Sequence, residues 1–332
     1  MASFKRILVL LACASGFSAR PAPAQQTLQQ TQGFAVERFY PSAPGGGWFV
    51  MDDLSFDAHV SGAISLNGGY AGNPLEVTSP GATQRLALVS GESFIDVGAA
   101  ITYSRFRLYL NIPMPLSVTG NSGILGQYQL TAPSLNIGAN PDTVSETRIG
   151  FDTRLYGKPA SRFRLGAGAQ LIFPSGNRTD YVTDGRYRAM FRLLTAGDSG
   201  RFTWAGQFGL HVRPVEGSLP PGGPNGNELL FGFSGGRHFA AGKSWDAVVG
   251  PEFFGVSAVH SNFSGQTGFE GLMTSRIEQI GDGPRLRFRL GVGHSLVQNF
   301  GAPEWRVLLG AELFYRRPDR APAAAAPPGA TR

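Results

Sequence analysis

The sequence predicts an all-β protein, a transmembrane up-and-down antiparallel β-barrel of about twelve strands. Three observations carry that expectation. Apolar residues recur with a period of two, the connections alternate between short and long, and aromatic residues gather at both ends of the apolar faces.

Composition narrows the field first. Of 332 residues, 46 are Gly and 24 are Phe, 42% are hydrophobic and only 16% are charged. A disordered chain would not carry that much apolar and aromatic material. No stretch approaches the roughly 18 consecutive apolar residues of a membrane-spanning helix, which excludes a helical membrane protein.

The formal net charge of +6 invites a search for a nucleic-acid-binding face, but its distribution argues against one. Lys5, Arg6 and Arg20 supply +3 within residues 1–24, and the tail 316–332 supplies another +3. The body between them is electroneutral, with 22 basic and 22 acidic residues. No nucleic-acid partner is expected.

Lys5 and Arg6, the apolar run Ile7 to Ala14 and the small-residue site Ala22-Pro23-Ala24 read as a secretory signal peptide over 1–24. The single cysteine, Cys13, falls inside it, so the exported chain is expected to hold together without disulfides. Residues 25–53 form an N-terminal segment, periplasmic or inserted into the lumen. Phe34, Phe39, Tyr40, Trp48 and Phe49 need somewhere to bury, which motivates the second option.

The barrel is expected over 54–315. Its first run alternates Leu54, Phe56, Ala58, Val60, Gly62, Ile64 and Leu66 with Ser55, Asp57, His59, Ser61, Ala63, Ser65 and Asn67, which is strict strand periodicity. Further runs span 93–103, 106–116, 146–156, 163–173, 186–196, 201–213, 228–239, 245–256, 268–279, 285–295 and 304–315. Their length of roughly ten residues crosses a bilayer at a tilt. The turns at 104, 157–162, 197–200, 240–244 and 280–284 are short, whereas those at 72–92, 117–145, 174–185, 214–227, 257–267 and 296–303 are long. That segregation matches the short periplasmic turns and long external loops of an outer-membrane barrel, with both termini periplasmic. Phe106, Phe163, Trp204, Trp245 and Phe288 flank the short turns, and Phe173, Tyr187, Phe231, Phe269 and Trp305 flank the long ones, as two interfacial girdles would. Residues 316–332 read as a Pro/Ala-rich disordered periplasmic tail.

The last strand carries Gly310, Leu313 and Tyr315 at the glycine, apolar and terminal aromatic positions of an assembly signal for the outer-membrane assembly machinery. Leu308 stands where that signal ordinarily has a polar residue.

The stretches Gly33-Phe34-Ala35-Val36-Glu37-Arg38-Phe39-Tyr40-Pro41-Ser42, Trp48-Phe49-Val50, Arg148-Ile149-Gly150, Leu165-Gly166-Ala167-Gly168, Phe173-Pro174-Ser175-Gly176 and Gly301-Ala302-Pro303-Glu304-Trp305-Arg306 carry a resemblance. Over roughly residues 33 to 315 the chain resembles the outer-membrane β-barrel proteins of myxobacteria and related deltaproteobacteria, often the barrel half of OmpA-like proteins. Relatives of that type continue into a peptidoglycan-binding domain, and this chain departs from them after its short tail. The resemblance implies location and fold rather than an activity.

Motifs for chemistry are weak. Gly232-Phe233-Ser234-Gly235-Gly236 fits G-x-S-x-G, but no helix follows to expose the serine. His59 and Ser61 share one strand face, which alternation turns inward, so a barrel lipid hydrolase is only a remote alternative and no enzyme is expected. The five histidines are dispersed, so neither a metal site nor another cofactor is expected.

The informative polar set faces the lumen: Asp96, Asp152, Arg154, Arg164, Arg188, Arg192, Glu252, Glu270, Arg276, Arg287, Arg289 and Glu312, accompanied by Asp57, Asp246, Glu278, Arg107, Arg148 and Arg306. Two readings stand side by side. One is a narrow porin-like channel for small solutes lined by these mixed charges. The other is a structural or surface-interaction barrel whose ion-paired network fills the lumen. The expected partners are outer-membrane lipid and lipopolysaccharide, with those of the loops undetermined.

Overall fold

A computed structural model describes residues 28–56, 60–79, 83–139, 143–215, 226–259, 267–281, 283–299 and 301–316. The expected signal peptide, the tail beyond 316, and Asp57 and His59 lie outside the described residues. No described helix is long and apolar enough to cross a membrane, which bears only on helices.

The described residues form fifteen strands and one short 3-10 turn. A small sheet joins β1 (Gln29–Gln30), β5 (Gly123–Leu125) and β6 (Tyr128–Leu130). The other twelve are β2 (Ser61–Thr78), β3 (Arg85–Tyr103), β4 (Phe106–Thr119), β7 (Arg148–Tyr156), β8 (Arg164–Ile172), β9 (Arg188–Ser199), β10 (Phe202–Val212), β11 (Glu228–Ala240), β12 (Trp245–Ala258), β13 (Thr267–Gln279), β14 (Gly283–Val297) and β15 (Trp305–Arg316). Each is antiparallel to its neighbours, and β15 pairs with β2 to close a twelve-stranded barrel. Closure leaves no free sheet edge, so the barrel backbone is satisfied without water.

The alternation that defines the strands also sorts their two faces. In β4, exposed Phe106, Leu108 and Leu110 alternate with buried Arg107, Tyr109 and Asn111. The same split runs round the barrel, leaving Ile64, Leu193, Phe208, Met273 and Leu309 on the outside, the last 61% exposed. An apolar exterior this continuous is foreign to a soluble monomer and suits hydrocarbon. The girdle aromatics pair with one another or with a neighbouring aromatic. Phe106 stacks on Phe151, Phe163 lies against Trp204 and Trp245 against Phe288 at the short-turn end. Phe173 meets Tyr187, and Phe231 meets Phe269, at the other.

Two features differ from the sequence expectation. The first barrel strand begins at Ser61 rather than Leu54, and Leu54 and Phe56 are buried inside instead of facing out. Their period-two pattern is that of any extended chain with one apolar side. The region 72–92 is a hairpin extension rather than a long loop, since β2 runs to Thr78 and β3 starts at Arg85. Leu75, Val77, Leu88 and Val89 of this extension form an outer core with Val118, Leu125, Leu130 and Leu135.

The described chain enters the barrel from the long-loop end. Gln29 and Thr31 donate from their backbones to Gln127 and Gln129, in the long connection between β4 and β7. The ends of the described chain therefore lie on opposite sides of the barrel, Gln29 at the long-loop end and β15 finishing at the short-turn end. The termini themselves, on which the expectation of a common periplasmic side bears, lie outside the described residues. Between them, residues 31–56 descend through the lumen to Phe56, near the short turns, before β2 begins.

A charge on the outer face tests this arrangement. Leu193→Arg, on the exposed face of β9, is expected to destabilise the folded barrel by about 2–4 kcal/mol in lipid vesicles. Urea unfolding followed by tryptophan emission measures it.

Candidate functional site: the charged lumen and its inner segment

The inner segment has almost no secondary structure, so its backbone groups need partners from the wall. The wall supplies them through charged side chains. Glu252 of β12 accepts from the backbone N–H groups of Phe49 (2.9 Å) and Val50 (3.0 Å), and from the Thr274 hydroxyl at 2.8 Å. Arg289 of β14 donates to the Trp48 carbonyl and to Asn67. Arg164 of β8 donates to the Asp53 carbonyl at 2.8 Å, and Arg154 of β7 to those of Leu54 (3.1 Å) and Phe56 (2.8 Å). Glu312 accepts from the Gly45 N–H at 3.3 Å.

Side chains of the segment join the same network. Arg107 bridges Asp52 of the segment and Asp152 of the wall, the second at 2.7 Å. Asp152 also receives Arg192 at 3.1 Å, whose guanidinium donates to the Tyr109 hydroxyl at 2.6 Å. Towards the long-loop end, Arg306 is clamped between Glu37 (2.9 Å) and Glu270 (2.8 Å). Glu228 receives Arg38 at 3.0 Å, Arg213 at 3.2 Å and His211 at 3.0 Å. Asp184 pairs with Arg213 and Arg188 and accepts from the Ala35 N–H at 2.9 Å. Burial beside Phe34 pushes the Tyr181 phenol, in the loop above, up to about 12.

Apolar contacts complete the packing of the segment. Phe39, Trp48, Phe49, Val50, Met51, Leu54 and Phe56 pack against the inward-facing Phe94, Leu194, Val248, Phe254, Leu272 and Leu308. Leu308, the departure from the assembly pattern, is thereby explained as a wall contact for the segment. Several guanidiniums lie on aromatic faces, Arg107 on Phe56 at 4.6 Å and Arg276 on Trp48 at 4.9 Å. Gly236 makes room for the indole, since a β-carbon there would stand 2.7 Å from the Trp48 ring.

All twelve lumen residues singled out from the sequence are buried on the inner face. Asp96 holds Arg148 and Asn111, Glu312 holds Arg287 and Arg289, and Arg164 pairs with Asp198 at 2.7 Å. Arg276 lies on the Trp48 ring. Gly310 faces inward towards Asn67 and Arg289, whereas Leu313 and Tyr315 are exposed on the outside. Ser234 is buried in β11 and donates to the Ala205 carbonyl. Sequence reasoning missed Glu37, Arg38, Asp52, Asp184, Arg213 and Glu228. Glu37, Arg38, Asp52 and Asp184 lie outside the strand runs, where alternation gives no face, while Arg213 closes one run and Glu228 opens the next. It missed Glu92 by placing it in a loop, although Glu92, Phe94 and Asp96 share one strand parity.

Voids remain on both sides of the segment. At the short-turn end a vestibule of about 660 Å³ is lined by Asp53, Phe56, Asp198, His238, Arg276 and Glu278, among others. Towards the long-loop end a cavity of about 40 Å³ lies between residues 35–41 and the β3–β4 wall.

No protein-family model matches the chain, and no curated protein matches it by sequence. Among solved structures, an outer membrane channel from Pseudomonas putida F1 aligns with 78% of this chain and 96% of its own, at 11% identity and a TM-score of 0.49. The NanC porin aligns with 76% and 99% of the two chains at 6% identity and a TM-score of 0.41. A FadL homologue of Pseudomonas aeruginosa aligns with 85% and 99% at 9% identity and a TM-score of 0.40. The resemblance to myxobacterial barrels rests on the sequence stretches quoted for it.

Arg107→Leu leaves the buried Asp52 without a cation, while Asp152 keeps only Arg192. The substitution is expected to cost about 3–5 kcal/mol, whereas removing all three charges together costs far less. Thermal loss of the compact form on unheated gels, compared between the single and triple variants, measures both.

Proposed function

We propose that the protein is an outer-membrane channel for small solutes, with a narrow path running beside a fixed inner segment. The apolar exterior and its paired aromatic girdles support the membrane location, with the long loops outside and outer-membrane lipid as the surrounding partner. The exposed Leu313 and Tyr315 suit recognition of β15 by the assembly machinery.

The observation that carries the channel reading is the polar vestibule of about 660 Å³. Twelve strands enclose more space than the side chains of an eight-stranded barrel fill. A lumen packed only for rigidity would gain nothing from leaving so large a polar void. The segment is tethered at both ends, by chain connection to β2 and by the pairing of β1 with β6. Solutes would therefore pass alongside it, not through a hole left by its withdrawal. The full burial of Phe34, Trp48, Phe49 and Met51 favours a second reading, a barrel whose filled lumen serves a structural or surface-interaction role.

Planar-bilayer recording separates the readings. A β-carbon at Gly45 would lie 3.5 Å from that of Ala63, within disulfide reach, and the only natural cysteine is Cys13 in the leader. Gly45 sits at φ +85°, so a cysteine there costs roughly 1–2 kcal/mol. The Gly45→Cys/Ala63→Cys variant is expected to show small conductance steps of equal size when oxidised and when reduced. Loss of the steps on oxidation would mean that the segment has to move out. Absence of steps in both forms and in the unmodified protein would support the filled barrel instead.

A further inference from the structure

Nearly every ionised side chain in the lumen is matched by an opposite charge or a hydrogen-bond donor. Glu92 of β3 is not. The residue is only 5% exposed, yet among the described residues its carboxylate makes no hydrogen bond and no ion pair, and Arg306 acts on it only from beyond bonding reach. It faces the cavity of about 40 Å³ near the long-loop end.

Carboxylates predominate round that cavity. Glu37, Glu92, Asp96 and Glu146 line it against a single guanidinium, Arg148. Three of the four acids are engaged. Glu37 is held by Arg306 at 2.9 Å, Asp96 by Arg148 and by Asn111 at 2.7 Å, and Glu146 by Arg188. Arg306 is itself fixed between Glu37 and Glu270, so it is not free to turn to Glu92. Phe39, Phe94, Pro113 and Pro115 supply apolar walls that concentrate the field of the remaining carboxylate. An isolated buried carboxylate is unfavourable unless a cation or a proton joins it.

The cavity is large enough for such a cation. One water needs roughly 10–15 Å³ measured in this way, so the space admits an ion with one or two waters. No three acidic, histidine or cysteine side chains among the described residues converge tightly enough to chelate a metal, which disfavours a bound divalent ion.

We propose that Glu92 and the cavity it faces form the cation-selecting throat of the channel, taking a partly dehydrated alkali cation between residues 35–41 of the inner segment and the β3–β4 wall. This deepens the channel reading and rests on it. Glu92 lies opposite Ala71 and Val118, towards the long loops, so selection takes place before a solute reaches the narrow path beside the middle of the segment.

The test uses the full-length protein in planar bilayers under a tenfold KCl gradient. The wild type is expected to favour potassium over chloride by about tenfold, and E92Q, isosteric but uncharged, by about twofold or less. E92D, which keeps the charge, should retain most of the preference. Migration on unheated gels reports that each variant is folded. If E92Q does not fold, E92S removes the same charge while leaving room for water and takes its place in the comparison. Equal reversal potentials in wild type and the uncharged variant would overturn the assignment of Glu92 while leaving the channel standing, as would a wild type without cation preference. Absence of conductance in every protein would overturn both.

Discussion

An irregular stretch of chain can lie inside a membrane barrel only if something other than water satisfies its backbone. Here the barrel wall does so with ionised side chains. Glu252 takes two consecutive N–H groups at Phe49 and Val50, while Arg289, Arg164 and Arg154 each take segment carbonyls. These bonds are charge-assisted and lie where solvent scarcely competes, so each counts for more than a neutral bond at the surface. The remaining features of the lumen follow from them.

One consequence is the number of buried charges. Ion pairs in a dry interior seldom add net stability over well-packed apolar residues, because desolvation offsets their attraction. Their persistence here makes sense as a device of specificity. The segment must take one path among many through a lumen wider than itself, and a ladder of opposed charges admits a single register. A second consequence is that the lumen face is not uniformly polar. Phe94, Leu194, Val248, Phe254, Leu272 and Leu308 point inward because the aromatic side of the segment needs apolar partners. Glycine on the same face gives way where bulky segment residues press closest, as Gly236 does beneath Trp48.

The barrel itself was legible because each strand meets two different media, and that contrast writes a period of two into the sequence. The girdles were legible for the same reason, and their members pair in the structure at the ends where the alternation put them. Leu54 and Phe56 misled because a segment lying against the inside of a wall shows the same alternation as a strand facing lipid. The hairpin extension at 72–92 was hidden by its turn-forming Gly72, Asn73 and Pro74, which here are absorbed within β2 around a register shift. The lumen charges could be assigned a face, but not partners, since half of those partners belong to a segment and loops without periodicity. The threading direction of residues 31–56 was unreadable, because aromatic content says that a segment needs burial and not which end enters first.

The central claim is that wall charges hold the backbone of the inner segment within the lumen. Amide hydrogen exchange at Phe49 and Val50 in the detergent-solubilised protein tests it most directly. The account predicts protection comparable to that of barrel strands such as β12, reduced at both amides in Glu252→Gln. Exchange at these two amides as fast as in an unstructured peptide would contradict it.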